Sequence, residues 1–155
     1  MGALVIPQAA LDLVKKAEGC YLDAYLCPAG KWTIGYGHTG PEVGRGLKWT
    51  QSKAEEAVIR DLLEAAVDVN SLVRVPITLN QRGALASFVF NLGATNLKSS
   101  TMLRLLNAGN YQGAVKEFPK WVNATVINKD GSSTFQPLPG LVKRRKAEAE
   151  LFDTP

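Results

Sequence analysis

The sequence feature that most constrains the fold is a long, uninterrupted helical period in the middle of the chain. Between Ser52 and Leu72 apolar side chains recur at spacings of three and four, and charged residues occupy the opposite face. Pro76 then ends the pattern. A helix of this length spans about 30 Å, roughly the diameter of a small domain. We therefore predict a helix that connects two lobes.

The segment before this helix is typical of short strands. Tyr21–Leu26 and Trp32–Tyr36 are rich in aromatic and β-branched residues, and residues 28–30 form a Pro-Ala-Gly turn signal between them. A first helix is predicted from Pro7, at the first helical position, to Gly19, just past its end.

The residues after the long helix are predominantly helical. We predict an α+β fold in a single domain, with a small β lobe at about 19–50 and a larger helical lobe at about 52–155 that includes the N-terminal helix. Capping boxes are predicted at Ser52-x-x-Glu55 and Thr78-x-x-Gln81. The remaining predicted segments are a helix ending at Gly93, helices at about 100–108 and 111–117, a loop or hairpin over 121–140 and a last helix at about 141–152.

The composition excludes several classes of protein. With 155 residues, 46% of them hydrophobic and 21% charged, the chain is long enough for one buried core and is neither disordered nor a coiled coil. The two cysteines make no disulfide framework, and no His or Cys cluster indicates a metal or other cofactor. No apolar run approaches the roughly 18–20 residues that a membrane span requires, so no span is predicted. The apolar run Ala3–Ile6 stops at Pro7 and has no basic segment before it, so we predict no signal peptide.

Glu18 is the first candidate for chemistry. It lies in the last turn of the first helix, on the side of Leu11 and Val14. The negative end of the helix dipole and an apolar surrounding both favour the protonated carboxyl group, which is the form that a general acid needs. The alternative is a solvated carboxylate at a frayed helix end.

Glu18 also begins a spaced motif. Eight residues separate Glu18 from Cys27 and five separate Cys27 from Thr33. This pattern, Glu-x8-Asp/Cys-x5-Thr, resembles that of the phage T4-type lysozymes, the endolysin muramidases. The segments 81–93 and 140–148 are similar to two further motifs of that family, and the likeness extends from about Pro7 to Phe152.

The resemblance implies a lysozyme-like fold whose cleft, between the two lobes, hydrolyses the β-1,4 bond between N-acetylmuramic acid and N-acetylglucosamine in peptidoglycan. Glu18 would be the general acid, and Thr33 would position the water or the sugar. Cys27 stands where many relatives have Asp. An unperturbed thiol is only a few per cent thiolate at neutral pH, so Cys27 could be a weak base, a nucleophile, a passive polarizable group or a buried structural residue.

Other residues are assigned to the cleft on weaker grounds. Asp23 shares strand parity with Cys27 and is a candidate substrate ligand, with a solvated strand face as the alternative. Tyr25 and Phe90 are aromatic candidates for stacking on a sugar, with packing in the core as the alternative, and Asn91 is a candidate hydrogen bonder in the cleft. The resemblance implies that His38 supports the fold near the junction of the lobes.

The basic run Lys143–Lys146 suggests at first a nucleic-acid partner. On a helical wheel, however, Arg144, Arg145 and Glu148 face the apolar side, so we predict that they pair inward and support the cleft. The run is then a poor nucleic-acid surface, and neither a nucleic-acid partner nor stable membrane insertion is predicted.

Several alternatives stay open. A Cys27–His38 dyad would make a cysteine peptidase, a lytic transglycosylase would act on the same sugar bond, and a wall-binding module would have no activity. A Cys20–Cys27 disulfide would have to span about 23 Å of straight strand, so two free thiols are predicted in the folded enzyme. By family analogy we expect a monomer made in the host cytoplasm, released through a holin and acting on the periplasmic wall.

Overall fold

The computed structural model describes residues 5–155, so the apolar run Ala3–Ile6 lies partly outside the described residues. Helix α1 comprises Gln8–Glu18 and buries Ala10 and Val14. Pro7 is the residue before the helix, with extended backbone angles, so its predicted place inside the first turn was wrong by one residue. Its carbonyl oxygen accepts hydrogen bonds from the backbone N–H groups of Ala10 and Leu11, and Gly19 ends α1 with φ of 71°.

A small antiparallel sheet follows α1. It consists of β1 (Tyr21–Leu26), β2 (Trp32–Gly35) and β3 (His38–Thr39), in the order β1-β2-β3. Tyr25 pairs with Thr33, but the register shifts between Tyr21 and Tyr25. Strict alternation of side chains therefore does not hold along β1.

Helix α2, Gln51–Leu72, joins the sheet to the helical part of the chain, because it packs against β2 and β3 at one end and against α3 along its length. It begins two residues earlier than the proposed capping box requires. The side chain of Thr50 caps it by accepting a hydrogen bond from the N–H of Lys53. The capping box at Ser52 and Glu55 was therefore wrong, and the Glu55 carboxylate is engaged elsewhere.

The helical part is built around α3, whose buried residues include Leu85 and Phe88. At its start Thr78 and Gln81 form the predicted capping box. The other elements of this part are α4 (Ala94–Lys98), α5 (Thr101–Asn107), α6 (Tyr111–Val115), a 3₁₀ turn (Phe118–Lys120), a hairpin of β4 (Asn123–Ile127) and β5 (Ser133–Pro137), and α7 (Pro139–Phe152). Of the loop and the hairpin that were expected as alternatives over residues 121–140, the structure has the hairpin.

The main core lies where α1, α2, α3 and α7 meet. Phe88 is its centre: its ring meets those of Phe118 and Trp121 edge to face, at centroid distances of 6.1 and 5.4 Å. The molecule is the predicted α+β fold, with a small sheet and a larger helical lobe. Within residues 5–155 no helix has the length and apolarity that a membrane crossing requires.

Candidate active site

Glu18 is held at the end of α1 from two sides. One of its oxygens, Oε2, lies 3.4 Å from Nη1 of Arg144 in α7. On the other side is the backbone of Gly37, so close that a Cβ atom there would be 2.8 Å from the carboxyl carbon of Glu18. Gly37 has φ of 76°, a left-handed conformation that glycine adopts without strain. The side chain of Glu18 is 21% exposed, so it can still meet a ligand.

Arg144 belongs to a buried cluster in the helical lobe. Glu148 accepts a hydrogen bond from Ser87 at 2.5 Å and lies between Arg144 and Arg145. Nε of Arg145 is 2.7 Å from Oε1 of Glu148, a charge contact in which the N–H does not point along the hydrogen-bonding direction. Burial raises the pKa of Glu148, and its positive neighbours oppose that shift. Arg144 and Arg145 thus face inward, as the wheel predicts.

Cys27 lies in the turn between β1 and β2, on the sheet side of the proposed site. Hydrogen bonding from the backbone of Lys31 and Ala29 and from the side chain of Thr33 lowers the pKa of the Cys27 thiol, although partial burial opposes this shift. The backbone closes the turn, because the N–H of Cys27 donates to the carbonyl of Lys31. This turn supplies thiolate stabilisation that the sequence argument, based on an unperturbed thiol, did not include.

Tyr25 in β1 and Thr33 in β2 are cross-strand partners in the sheet. Thr33 is 4% exposed, and its hydroxyl donates to the carbonyl of Lys31 at 3.1 Å. Burial raises the pKa of Tyr25, and the charges of Tyr21, Glu18 and Cys27 raise it further. Tyr25 is therefore within electrostatic range of both Glu18 and Cys27, and Thr33 is next to the thiol.

Phe90 and Asn91 contribute the helical side. The guanidinium carbon of Arg144 lies 5.8 Å from the centre of the Phe90 ring. Phe90 and Gly37 line a cavity of about 280 Å³ together with Thr39 and residues of α2. The side-chain oxygen of Asn91 accepts a hydrogen bond from Arg145 at 2.8 Å, so this residue is bonded to the buried cluster.

A larger groove of about 740 Å³ lies between α1 and α7. Its walls include Leu13, Ala17 and Arg144, but not Glu18, Cys27 or Thr33. Neither of these two cavities is lined by Glu18, Cys27 or Thr33, and the smaller one adjoins the proposed site at Gly37, whose backbone approaches the Glu18 carboxyl group.

His38 is enclosed by carboxylates. Its Nδ1 is 2.6 Å from Asp61 of α2, and its Nε2 is 2.7 Å from Glu42. Because both ring nitrogens are engaged, the imidazole has no nitrogen left to activate Cys27, and the peptidase alternative loses its base. Burial disfavours the imidazolium, but the hydrogen bonds to Asp61 and Glu42 outweigh it and raise the pKa of His38.

Two other sequence expectations concern Asp23 and the cysteines. Asp23 lies at the register shift of β1, is 74% exposed and pairs with Lys48 at 3.4 Å. The strand parity on which its place in the cleft was argued is therefore interrupted. Cys20 and Cys27 are both free thiols. In the described residues 5–155, His, Cys, Asp and Glu side chains form no group of three that could hold a metal.

Sequence reasoning missed three supports of the site. Gly37 is hidden among several glycines, and only its approach to Glu18 distinguishes it. Asp61 and Ser87 lie on the inward faces of α2 and α3, and no local signal marks them as partners of His38 and Glu148. The second motif contains Ser87, so the resemblance was the one available pointer.

The chain matches known proteins over most of its length. A family model described as phage lysozyme matches residues 15–148. An endolysin of Acyrthosiphon pisum secondary endosymbiont phage 1 is 45% identical over 149 residues, which cover 96% of this chain and 98% of that protein. An endolysin of Bacillus phage B103 is 43% identical over 96% of this chain, which spans 54% of that protein's length.

Solved structures give the same result. The muramidase domain of SpmX from Asticaccaulis excentricus is 36% identical, with a TM-score of 0.86 over 99% of this chain and 100% of that one. The fold and the cleft thus define a lysozyme-type enzyme, a glycoside hydrolase. The chain belongs to the phage lysozyme family.

Proposed function

We propose that this chain is an endolysin that hydrolyses the β-1,4 bond between N-acetylmuramic acid and N-acetylglucosamine in bacterial peptidoglycan and so causes lysis of the host cell. The observation that carries the proposal is the position of Glu18, a partly exposed carboxyl group at the junction of the sheet and the helical lobe, held by Arg144 and Gly37. Membership of the phage lysozyme family and similarity to proteins named endolysin support the same activity.

Glu18 acts as the general acid in this proposal. Its carboxyl group gives a proton to the glycosidic oxygen, the bond to the anomeric carbon breaks, and a water molecule adds to that carbon. The contact with Arg144 stabilises the carboxylate that remains after proton transfer. Two groups at fixed positions on opposite sides of the sugar bond are the usual requirement for glycoside hydrolysis.

Cys27 and Thr33 serve the water in this proposal. The turn that lowers the pKa of Cys27 favours a thiolate, which can accept the proton of the attacking water, and Thr33 can orient that water through its hydroxyl group. Tyr25, Phe90, Asn91 and Asp23 are proposed substrate ligands. His38, Arg144, Arg145 and Glu148 are proposed to support the cleft from behind.

The proposal extends to the biological setting. Residues 19–50 and the helical remainder would form one catalytic domain that acts as a monomer on glycan strands. The enzyme would be made in the host cytoplasm and reach the wall of the periplasm through a holin-permeabilised membrane. No cofactor is needed for direct hydrolysis.

Product analysis tests the activity. We expect mass spectrometry of digested peptidoglycan to find muropeptides with a reducing muramic acid. Products lighter by one water would instead carry the anhydro ring of a lytic transglycosylase, and a failure to release any muropeptide would leave only a wall-binding module.

Replacing Cys27 tests its role. We expect Cys27→Ala to lower kcat about 10²- to 10³-fold, in the range of a lost general base, and Cys27→Asp to retain much of the activity, because a carboxylate can accept the same proton. The control is Ser133→Ala, which truncates an exposed polar side chain of β5, in the hairpin of the helical lobe, and is expected to leave kcat unchanged. Full activity of Cys27→Ala would assign the thiol a passive role.

A further inference from the structure

A hydrogen-bonded cluster outside the cleft connects α1 and α2 with the first residue beyond β2. Lys15 of α1 lies 2.5 Å from Oε2 of Glu55 in α2. The other oxygen of Glu55 accepts hydrogen bonds from the hydroxyl of Tyr36, at 3.0 Å, and from the amide of Gln51, at 2.8 Å. Lys15 also lies 5.3 Å from the centre of the Tyr36 ring. We call Lys15, Tyr36, Gln51 and Glu55 the Glu55 cluster.

The Glu55 cluster is close in sequence to two residues of the proposed site. Lys15 comes one helical turn before Glu18 on α1, and Tyr36 comes shortly after Thr33, as the first residue beyond β2. Tyr36 is also followed directly by Gly37, the residue whose backbone touches the Glu18 carboxyl group. A shift of Lys15 relative to Tyr36 therefore changes the distance between Glu18 and the strand that carries Thr33.

We propose that Glu55 is a positioning residue for the hydrolysis, because it ties the helix that carries the general acid to the strand that carries the water-orienting threonine. The inference rests on the proposed function of Glu18 and Thr33. Glu55 does not touch the substrate and acts only through Lys15 and Tyr36.

The charges of the cluster suit a permanent link. The hydrogen bond with Lys15 lowers the pKa of Glu55, and the same bond raises the pKa of Lys15 against partial burial. Burial raises the pKa of Tyr36, so its hydroxyl keeps its proton and remains a donor. All three groups thus hold their interacting forms across the neutral range.

Stability alone is a weak reason for this cluster. The side chains of Lys15 and Glu55 are 27% and 34% exposed, and ion pairs at such exposure contribute little to the free energy of unfolding. Their geometric effect is larger, because a misplacement of about 1 Å between catalytic groups can lower a rate about 100-fold. The variants should therefore change catalysis more than stability.

The test compares steady-state kinetics of purified full-length variants on solubilised peptidoglycan. We expect Glu55→Gln and Tyr36→Phe each to lower kcat about 10-fold, less than a 1 Å misplacement can cause, with KM changed less than about 2-fold. Glu56→Gln is the matched control for Glu55→Gln, and Lys16→Gln is the control for the loss of the Lys15 charge in the double-variant cycle below. Both change the charge of an exposed neighbour outside the cluster. These controls should keep kcat within about 2-fold of the unchanged protein.

A double-variant cycle separates positioning from general damage. If Lys15 and Glu55 act through one link, Lys15→Met combined with Glu55→Gln should lower kcat no further than either single change. Lys15→Arg should retain most of kcat, because it preserves the charge. Thermal unfolding of every variant shows whether the folded fraction accounts for the loss.

The inference is overturned if kcat of Glu55→Gln and Tyr36→Phe matches the controls, if only KM changes, or if the loss follows the folded fraction. Failure of the proposed function has a different signature, since the unchanged protein would then release no reducing ends at all. The ratio of the variant kcat to that of the unchanged protein is defined only when the unchanged protein is active, so the two outcomes are distinguishable.

Discussion

Two ionic clusters lie beside the cleft, and they differ in burial. In the helical lobe Arg144, Arg145 and Glu148 are almost completely buried between α3 and α7. Next to the sheet, His38 lies between Asp61 and Glu42, and the side chain of Glu42 is 56% exposed. Both clusters fix residues near Glu18, but only the second can exchange protons readily with solvent.

The difference separates rigidity from pH response. The Glu148 cluster holds Arg144 in one place. Removal of one of its charged partners should strongly lower the free energy of unfolding, because the remaining buried charge is left unpaired. The His38 cluster gains or loses stability as a single imidazole titrates. The following predictions test this division, from the largest expected effect to the smallest.

Removal of Glu148 should have the largest effect on stability. We predict that Glu148→Ala lowers the free energy of unfolding by about 3–5 kcal/mol, because two buried guanidinium groups lose their carboxylate. Urea unfolding followed by circular dichroism measures the change. Glu150→Ala, on the exposed face of the same helix, should change it by less than about 0.5 kcal/mol. Equal effects at the two positions would contradict the contrast between the clusters.

A side chain at Gly37 should affect catalysis more than stability. We predict that Gly37→Ala lowers kcat about 100-fold, because the new methyl group meets the Glu18 carboxyl carbon at 2.8 Å and displaces it. The matched control is Gly131→Ala, since Gly131 also has a positive φ but nothing within 4 Å of the added atom. Both variants should lose about 1–2 kcal/mol to the left-handed backbone. Only the first should lose activity.

The His38 cluster should make stability depend on pH. Because the folded protein raises the pKa of His38 above its ordinary value of about 6.5, its contribution is fully present below that value and is lost as the pH rises through the higher, folded pKa. The pKa of Glu42 is lowered by His38, so its contribution is lost at acid pH. Unfolding measured from pH 5 to 9 should show the alkaline loss, and His38→Asn should flatten it. An unchanged pH profile in that variant would show that the cluster is not the pH-sensitive element.

Much of the fold was predictable because its local signals agree. The long α2 follows from an unbroken apolar period, and α3 follows from its capping box and terminal glycine. The predicted start of α2 was wrong because Thr50, and not Ser52, caps the helix. The local sequence also does not reveal that the carboxylate of Glu55 is bonded to Lys15 and Tyr36. A local motif cannot show whether a side chain bonds its own helix terminus or residues from other elements.

The site was predictable in its residue types but not in its surroundings. Motif spacing and the family resemblance identified Glu18, Cys27 and Thr33 as candidates. The backbone turn that lowers the pKa of the Cys27 thiol could not be predicted, because it depends on three-dimensional geometry. The expectation for Asp23 used ideal strand alternation, which the register shift in β1 interrupts. Irregular strands are where periodicity carries the least information.

The central claim is that Glu18 is the general acid, and Glu18→Gln tests it most directly, because the amide keeps the size of the side chain but has no acidic proton to give. The measurement is the release of reducing ends from purified peptidoglycan, with sedimentation of the protein with the same peptidoglycan as a measure of binding. We predict that release falls at least about 10³-fold while binding and the circular dichroism spectrum are retained. Release at the rate of the unchanged protein would contradict the account.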